Sequence, residues 1–247
     1  MRNVAIVALS LIAAFAFPAP HAEASFVPPA NLPDGATSYQ ILFVTSASIS
    51  TEAQGIAAYN TFATSQANAS GGYLPAGLTW NAVASTGLYL SGSNFILPVS
   101  AASNAPSSAG IPVYNTQGQL ITNLGLYSDN LVSALPEYNQ EGVLDQTNVT
   151  TGSDQFGDVG QYPLGTAGGY NMGIDYLGTA TQSNGYWLSV DVEGTFNPRY
   201  PIYALSNPIP LASPEPASLS LLASGFLAFG GFQFARRRRT AALTPTC

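Results

Sequence analysis

Four carboxylates, Asp129, Glu137, Glu141 and Asp145, fall within 17 residues, with Asn130, Asn139 and Gln140 among them. Hard oxygen donors of this kind suit calcium, which takes about six to eight of them in flexible loops. The spacing is not that of an EF-hand, and ordinary solvated carboxylates look the same in a sequence. Asp154 and Asp158, in DQFGD, are a second acidic pair. Paired carboxylates also hydrolyse glycosides, one as acid and one as base or nucleophile. The acids of this chain allow many such pairs and single out none. Tyr162, Tyr170, Tyr176 and Tyr186 fall in or beside a glycine-rich stretch, where rings could stack on sugar faces or serve as struts. Trp80 and Trp187 sit in strand-like patterns and are expected in the core.

What is missing narrows the chemistry further. The chain has 13 acids and six arginines but no lysine. Of the acids, Glu23 and Glu215 lie near the ends, which leaves eleven between residues 25 and 212, against Arg199 as the one base there. Such a surface repels nucleic-acid phosphates and anionic lipid, both of which need clustered Lys or Arg. Neutral, cationic or cation-bridged partners remain. The only histidine, His21, and the only cysteine, Cys247, also lie near the ends. A Ser-His-Asp triad, a Cys-His dyad, an ordinary zinc site and a lysine Schiff base are therefore excluded from the middle of the chain. That region has no disulfide either. Hydroxyls, carboxylates and one guanidinium are left.

The elements that must position these groups are legible in part. Tyr39 to Thr45 (YQILFVT) reads as a buried strand. Thr51 and Gln54 form a capping box for a helix reaching about Ala69, with Ile56, Tyr59, Phe62 and Ala63 on its apolar face. Gly71 and Gly72 end it. Leu78 to Ala84 reads as a second strand. Residues 85–110 read as an extended loop. Residues 111–114 and 119–121 flank Asn115-Thr116-Gln117-Gly118, a hairpin turn. Residues 129–185 are polar, glycine-rich and without clear period, a loop length usually reserved for function or ligand organisation. Tyr186 to Val192 alternates as a strand, and Tyr200 to Leu205 closes the domain. One helix and several strands separated by long irregular loops predict an α+β domain over residues 25–212. Asn68-Ala69-Ser70 and Asn148-Val149-Thr150 fit the glycosylation sequon.

Both ends are built of ordered parts. At the first, Arg2 precedes an apolar run from Val4 to Phe17, then Pro18 and Pro20, then Ala22-Glu23-Ala24 before Ser25. This is the order of a secretory signal peptide over residues 1–24, cleaved after Ala24. At the other, Pro214-Glu215-Pro216 is followed by 19 uncharged residues, 217–235, and then by Arg236, Arg237, Arg238 and Arg239. As a helix those 19 residues span about 28 Å, close to the hydrocarbon thickness of a bilayer. The arginines hold their end, with residues 240–247, in the cytoplasm and leave the main chain outside. A short Pro-Glu-Pro box, a hydrophobic run and an arginine cluster in that order resemble the PEP-CTERM sorting signal, here residues 213–239. The resemblance implies an exosortase-type membrane protease as partner and passage through the inner membrane. It also implies release to the surface or matrix of a Gram-negative, exopolysaccharide-making bacterium.

A second likeness covers about Tyr39 to Ile209. It rests on FVTS at Phe43 to Ser46, IAAYNTFATSQA at Ile56 to Ala67 and GLTWNAVAST at Gly77 to Thr86. IPVYNTQGQLI at Ile111 to Ile121, LYS at Leu126 to Ser128 and Asn-Gln-Glu-Gly at Asn139 to Gly142 complete it. In order these are similar to secreted bacterial domains of the C-type-lectin-like and endostatin-like fold. The chain lacks that fold's disulfides and its Glu-Pro-Asn, Gln-Pro-Asp and Trp-Asn-Asp sugar motifs. The resulting expectation is a non-enzymatic, polysaccharide-associated surface module. A carboxylate-dependent glycan hydrolase and a purely structural matrix protein are the alternatives.

Overall fold

The computed structural model describes residues 25–29, 31–52, 55–91, 94–128, 131–165, 174–194 and 199–211. The signal segment 1–24, the sorting tail 213–239 and Asp129 lie outside them.

The first strand, β1 (Ser38–Val44), has the run of branched and aromatic residues expected of a strand buried on both faces, and six of its seven residues are buried. The short β2 (Ile49–Ser50) leads into helix α1 (Ile56–Asn68). Next come β3 (Trp80–Ala82), the hairpin β4 (Tyr89–Ser91) and β5 (Asn94–Ile96), and the one-turn helix α2 (Ala101–Asn104). A second hairpin, β6 (Val113–Asn115) and β7 (Leu120–Thr122), turns where the sequence predicts. There the Asn115 carboxamide accepts the Gln117 and Gln119 N–H groups, and Gly118 takes a positive φ of 75°. The remaining strands are β8 (Asn148–Thr150), β9 (Ile174–Thr179), β10 (Asp191–Gly194), β11 (Arg199–Tyr200), β12 (Tyr203–Ser206) and β13 (Ile209–Pro210).

The main sheet runs in the order β3-β12-β1-β6-β7, with β13 also pairing with β1. Only β1 and β6 are parallel in it. Alternation along these strands feeds two cores. Tyr39, Ile41 and Phe43 of β1 join Trp80, Ala82, Tyr114 and Ala204 beneath α1, which buries Tyr59, Ala63 and Ala67 there. Leu42 and Val44 face the other way, with Val113, Ile121, Tyr203 and Leu205, toward the sheet β10-β9-β8 and the turn bearing Trp187. The molecule is thus layered as helix, sheet and sheet. The two tryptophans anchor one core each. Trp80 meets Phe43 edge-on at 5.0 Å and Trp187 meets Tyr203 at 5.4 Å.

This content corrects the expected α+β, C-type-lectin-like architecture. Among the described residues thirteen strands stand against α1 and a single-turn α2, so strands dominate. Segments expected as long irregular loops contain β4, β5, α2, β8 and β9, short elements held by partners distant in sequence. The membrane helix expected to flank the domain is not shown either. No helix among the described residues is long and apolar enough to cross a membrane, and residues 217–235 lie outside them.

Two local readings also change. The helix begins at Ile56 after Gly55 (φ 74°), with no side-chain cap, because Thr51 is buried and its carbonyl is taken by the Tyr59 hydroxyl at 2.8 Å. The alternation from Tyr186 is not a strand. Asn184 caps a 3₁₀ turn at Gly185–Trp187, and β10 begins only at Asp191.

Candidate functional site

The acids singled out above do not converge. Among the described residues no three acidic, histidine or cysteine side chains are grouped so as to hold a metal ion. Glu137, Glu141 and Asp145 instead belong to a tight hairpin-like loop. The Asp145 N–H donates to the Glu137 carbonyl at 2.6 Å, and Tyr138 bridges Leu144. Asn139 builds the tip. Its carboxamide oxygen accepts the N–H groups of Glu141 and Val143, both at 3.0 Å, and Gly142 supplies the positive φ of 72°. The Glu137 carboxylate accepts from the Gln146 amide at 2.8 Å, while Glu141 is exposed. Partial burial raises the Asp145 carboxyl above its ordinary range.

The DQFGD pair has a local role too. Asp154 accepts the N–H groups of Phe156 and Asp158, both at 2.9 Å, which closes its own loop. Of the tyrosines considered for stacking, Tyr186 is half exposed and Tyr162 partly buried, while Tyr170 lies outside the described residues. Ser25, the expected first residue after cleavage, is exposed. Ala22, Ala24, Pro214 to Pro216 and Arg236 to Arg239 lie outside the described residues.

A different place gathers polar side chains. Between α1 and β3 runs a groove of about 520 Å³. One wall is the helix stripe Thr61, Thr64, Ser65 and Asn68, spaced by three and four residues and therefore on one face. The other wall is Thr79 and Asn81, which share a face of the strand. Trp80 forms the floor but is only 2% exposed, so its ring packs in the core and offers no stacking surface.

The floor exists because β3 is an edge strand whose outward backbone groups must find partners. The Asn60 carboxamide oxygen accepts the Ala82 N–H at 2.8 Å, and the Asn104 amide donates to the Ala82 carbonyl at 2.7 Å. Asn60 and Asn104 also exchange two amide hydrogen bonds, of 2.9 and 2.8 Å. Thr64 donates to the Trp80 carbonyl at 3.3 Å. Side-chain amides from two helices thereby close the sheet on this side.

The groove's own hydrogen-bonding capacity is balanced and uncharged. Thr61 and Ser65 spend their protons on the Ala57 and Phe62 carbonyls, which leaves their oxygens as acceptors. Asn81 donates to Asn207 at 3.0 Å and keeps its carbonyl oxygen. Asn68 and Thr79 are exposed, and neither side chain is hydrogen-bonded among the described residues. Donors and acceptors thus alternate along two walls that carry no ionisable group, a lining suited to hydroxylated, uncharged ligands. Sequence reasoning found the apolar face of α1 and missed its polar one. The spacing 61, 64, 65, 68 is visible in the sequence, but the opposing Thr79 and Asn81 are placed only by the fold.

No known protein family matches the chain, and no curated protein is similar to it.

Proposed function

We propose that this chain is an exported, non-enzymatic surface or matrix protein whose domain binds uncharged extracellular polysaccharide. The ordered parts of residues 1–24 support export, with cleavage between Ala24 and Ser25. The order Pro214-Glu215-Pro216, residues 217–235, Arg236 to Arg239 supports membrane passage and cutting by an exosortase-type protease. A Gram-negative, exopolysaccharide-making host follows from that tail. The observation that carries the binding reading is the α1–β3 groove. It is lined by amides and hydroxyls alone, on a domain whose acids outnumber its bases by ten and which therefore disfavours anionic polymers.

In this reading the groove works without a metal ion, because its walls are not carboxylates. Calcium at Glu137, Glu141 and Asp145, with Asp129, is the competing arrangement, and chelator distinguishes the two. The test is retention of the protein on neutral and on anionic polysaccharide columns, with and without chelator. Neutral retention that survives chelator and is lost in Asn68→Ala/Thr79→Ala supports the groove. Retention that vanishes with chelator, or is untouched by the double substitution, places binding elsewhere. Release of reducing ends from the polymer would overturn the non-enzymatic reading. Intact mass of the surface-extracted protein tests the sorting: a species that still contains Arg236 to Arg239 refutes cleavage at the tail.

A further inference from the structure

We propose that Asn184 is a self-modifying site, at which the backbone nitrogen of Gly185 displaces the side-chain amide of Asn184. Asn184-Gly185 is the one Asn-Gly step in the chain. Asn184 is exposed and its carboxamide is not free to wander. Its oxygen accepts the Tyr186 N–H at 3.1 Å, which folds the side chain forward along the main chain past the intervening Gly185 peptide. The same turn is pinned by the Trp187 N–H on the Asn184 carbonyl at 3.0 Å. Gly185 brings no Cβ to obstruct the approach of its nitrogen. Its N–H donates to no acceptor among the described residues, so no hydrogen bond must break before that nitrogen reacts.

The other exposed asparagines lack this combination. Asn68 is followed by Ala69 and Asn148 by Val149, whose side chains crowd the attacking nitrogen. Asn207 is followed by Pro208, which has no N–H.

The step balances within the chain and one water. The Gly185 nitrogen attacks the Asn184 Cγ and the new C–N bond closes a five-membered imide. The Cγ–Nδ2 bond breaks, and ammonia leaves with the proton that the Gly185 nitrogen loses. Water then opens the ring at either carbonyl, giving an aspartyl or an isoaspartyl residue. Either product adds one negative charge to an already acidic domain. The iso product also inserts a methylene into the main chain two residues before the Gly185–Trp187 turn ends. That turn seats Trp187 against Tyr203, and the Trp187 carbonyl lies so close to Gly178 that no Cβ would fit there. A lengthened turn therefore loosens one of the two tryptophan anchors as the protein ages.

The test is incubation of the purified full-length chain at mildly alkaline pH, followed by peptide mass mapping and assay of released ammonia. Conversion is expected at Asn184 and not at Asn68 or Asn148, with a red shift of tryptophan emission in step. Gly185→Ala is expected to slow it at least about tenfold, the effect of about 1.4 kcal/mol on the barrier. Asn184→Ser keeps a good cap and abolishes conversion. The chain unfolded in urea is the reference that stands even if a variant misfolds. Native conversion within about tenfold of the unfolded rate supports the site. Conversion in urea with the native chain protected means that the turn hinders the attack, and overturns it.

Discussion

Replacing Asn60 by leucine removes the one acceptor that the Ala82 N–H has, at a residue that is fully buried on the edge of the main sheet. A buried N–H left unpaired costs about 1–3 kcal/mol. Asn104 loses its reciprocal amide partner too, but it is only partly buried and can turn toward water, so it adds about 1 kcal/mol at most. The sum is about 2–3 kcal/mol, a large part of the net stability of a domain. For a domain of this size each kcal/mol moves the melting temperature by about 2–4 °C, so Asn60→Leu is expected to lower it by roughly 4–12 °C. Calorimetry of the single variants and of Asn60→Leu/Asn104→Leu completes the cycle. Because the two amides act as a unit, the double substitution should fall short of the sum by about 0.5–3 kcal/mol. The freed Ala82 peptide also leaves an open strand edge, so the variant should associate at concentrations where the parent stays dispersed. A loss below about 0.5 kcal/mol with additive singles would show that Ala82 finds water, and the account of a sealed edge would fail.

Trp80→Ala removes a ring that is almost fully buried against Phe43, and should cost about 3–5 kcal/mol by calorimetry; an unchanged melting curve would mean an exposed ring. Gly178→Ala places a methyl group on the Trp187 carbonyl, a backbone atom with no easy retreat, so near-ultraviolet circular dichroism should lose the signal of that core. Burial raises the Asp145 carboxyl above its model value of 3.8, so the folded chain holds this proton more tightly than the unfolded chain does. Stability must then fall as pH rises from 3.8 through the folded value, and Asp145→Asn should be the more stable form at neutral pH, by a margin that vanishes below 3.8. Parallel melting curves of the two at all pH values would refute this.

The parts of the fold that could be read from the sequence are those whose signal is local. The seven residues of β1 and the apolar repeat of α1 identify themselves by composition and period, and the Asn115 to Gly118 turn by its side-chain chemistry. Three-residue strands such as β8 carry no usable period, because what holds Val149 in place is its pairing with Gly178 and its burial near Trp187. Tyr186 to Val192 misleads for a definite reason. Its alternation is real, but Asn184 offers the backbone a competing turn and wins. The acidic residues drew attention as ligands because carboxylates are conspicuous, yet Asp154 is consumed in closing its own loop. The groove was hidden because it depends on Asn60, Ala82 and Asn104 meeting across separations of 22 and 44 residues.

The position of β1 at the centre of the main sheet sets an order of events. Its antiparallel neighbour β12 begins more than 150 residues later, and its parallel neighbour β6 more than 60 residues later. Until Tyr203 to Pro210 has been synthesised and delivered to the same side of any membrane, the most apolar strand of the chain has one flank bare. Loop closure over such distances must precede any reward from pairing, which makes assembly slow and late. A nascent or truncated chain ending before Tyr203 is therefore a sticky one. The segment after Pro210 begins only once the final staple, β13 on Ser38 and Tyr39, is in hand.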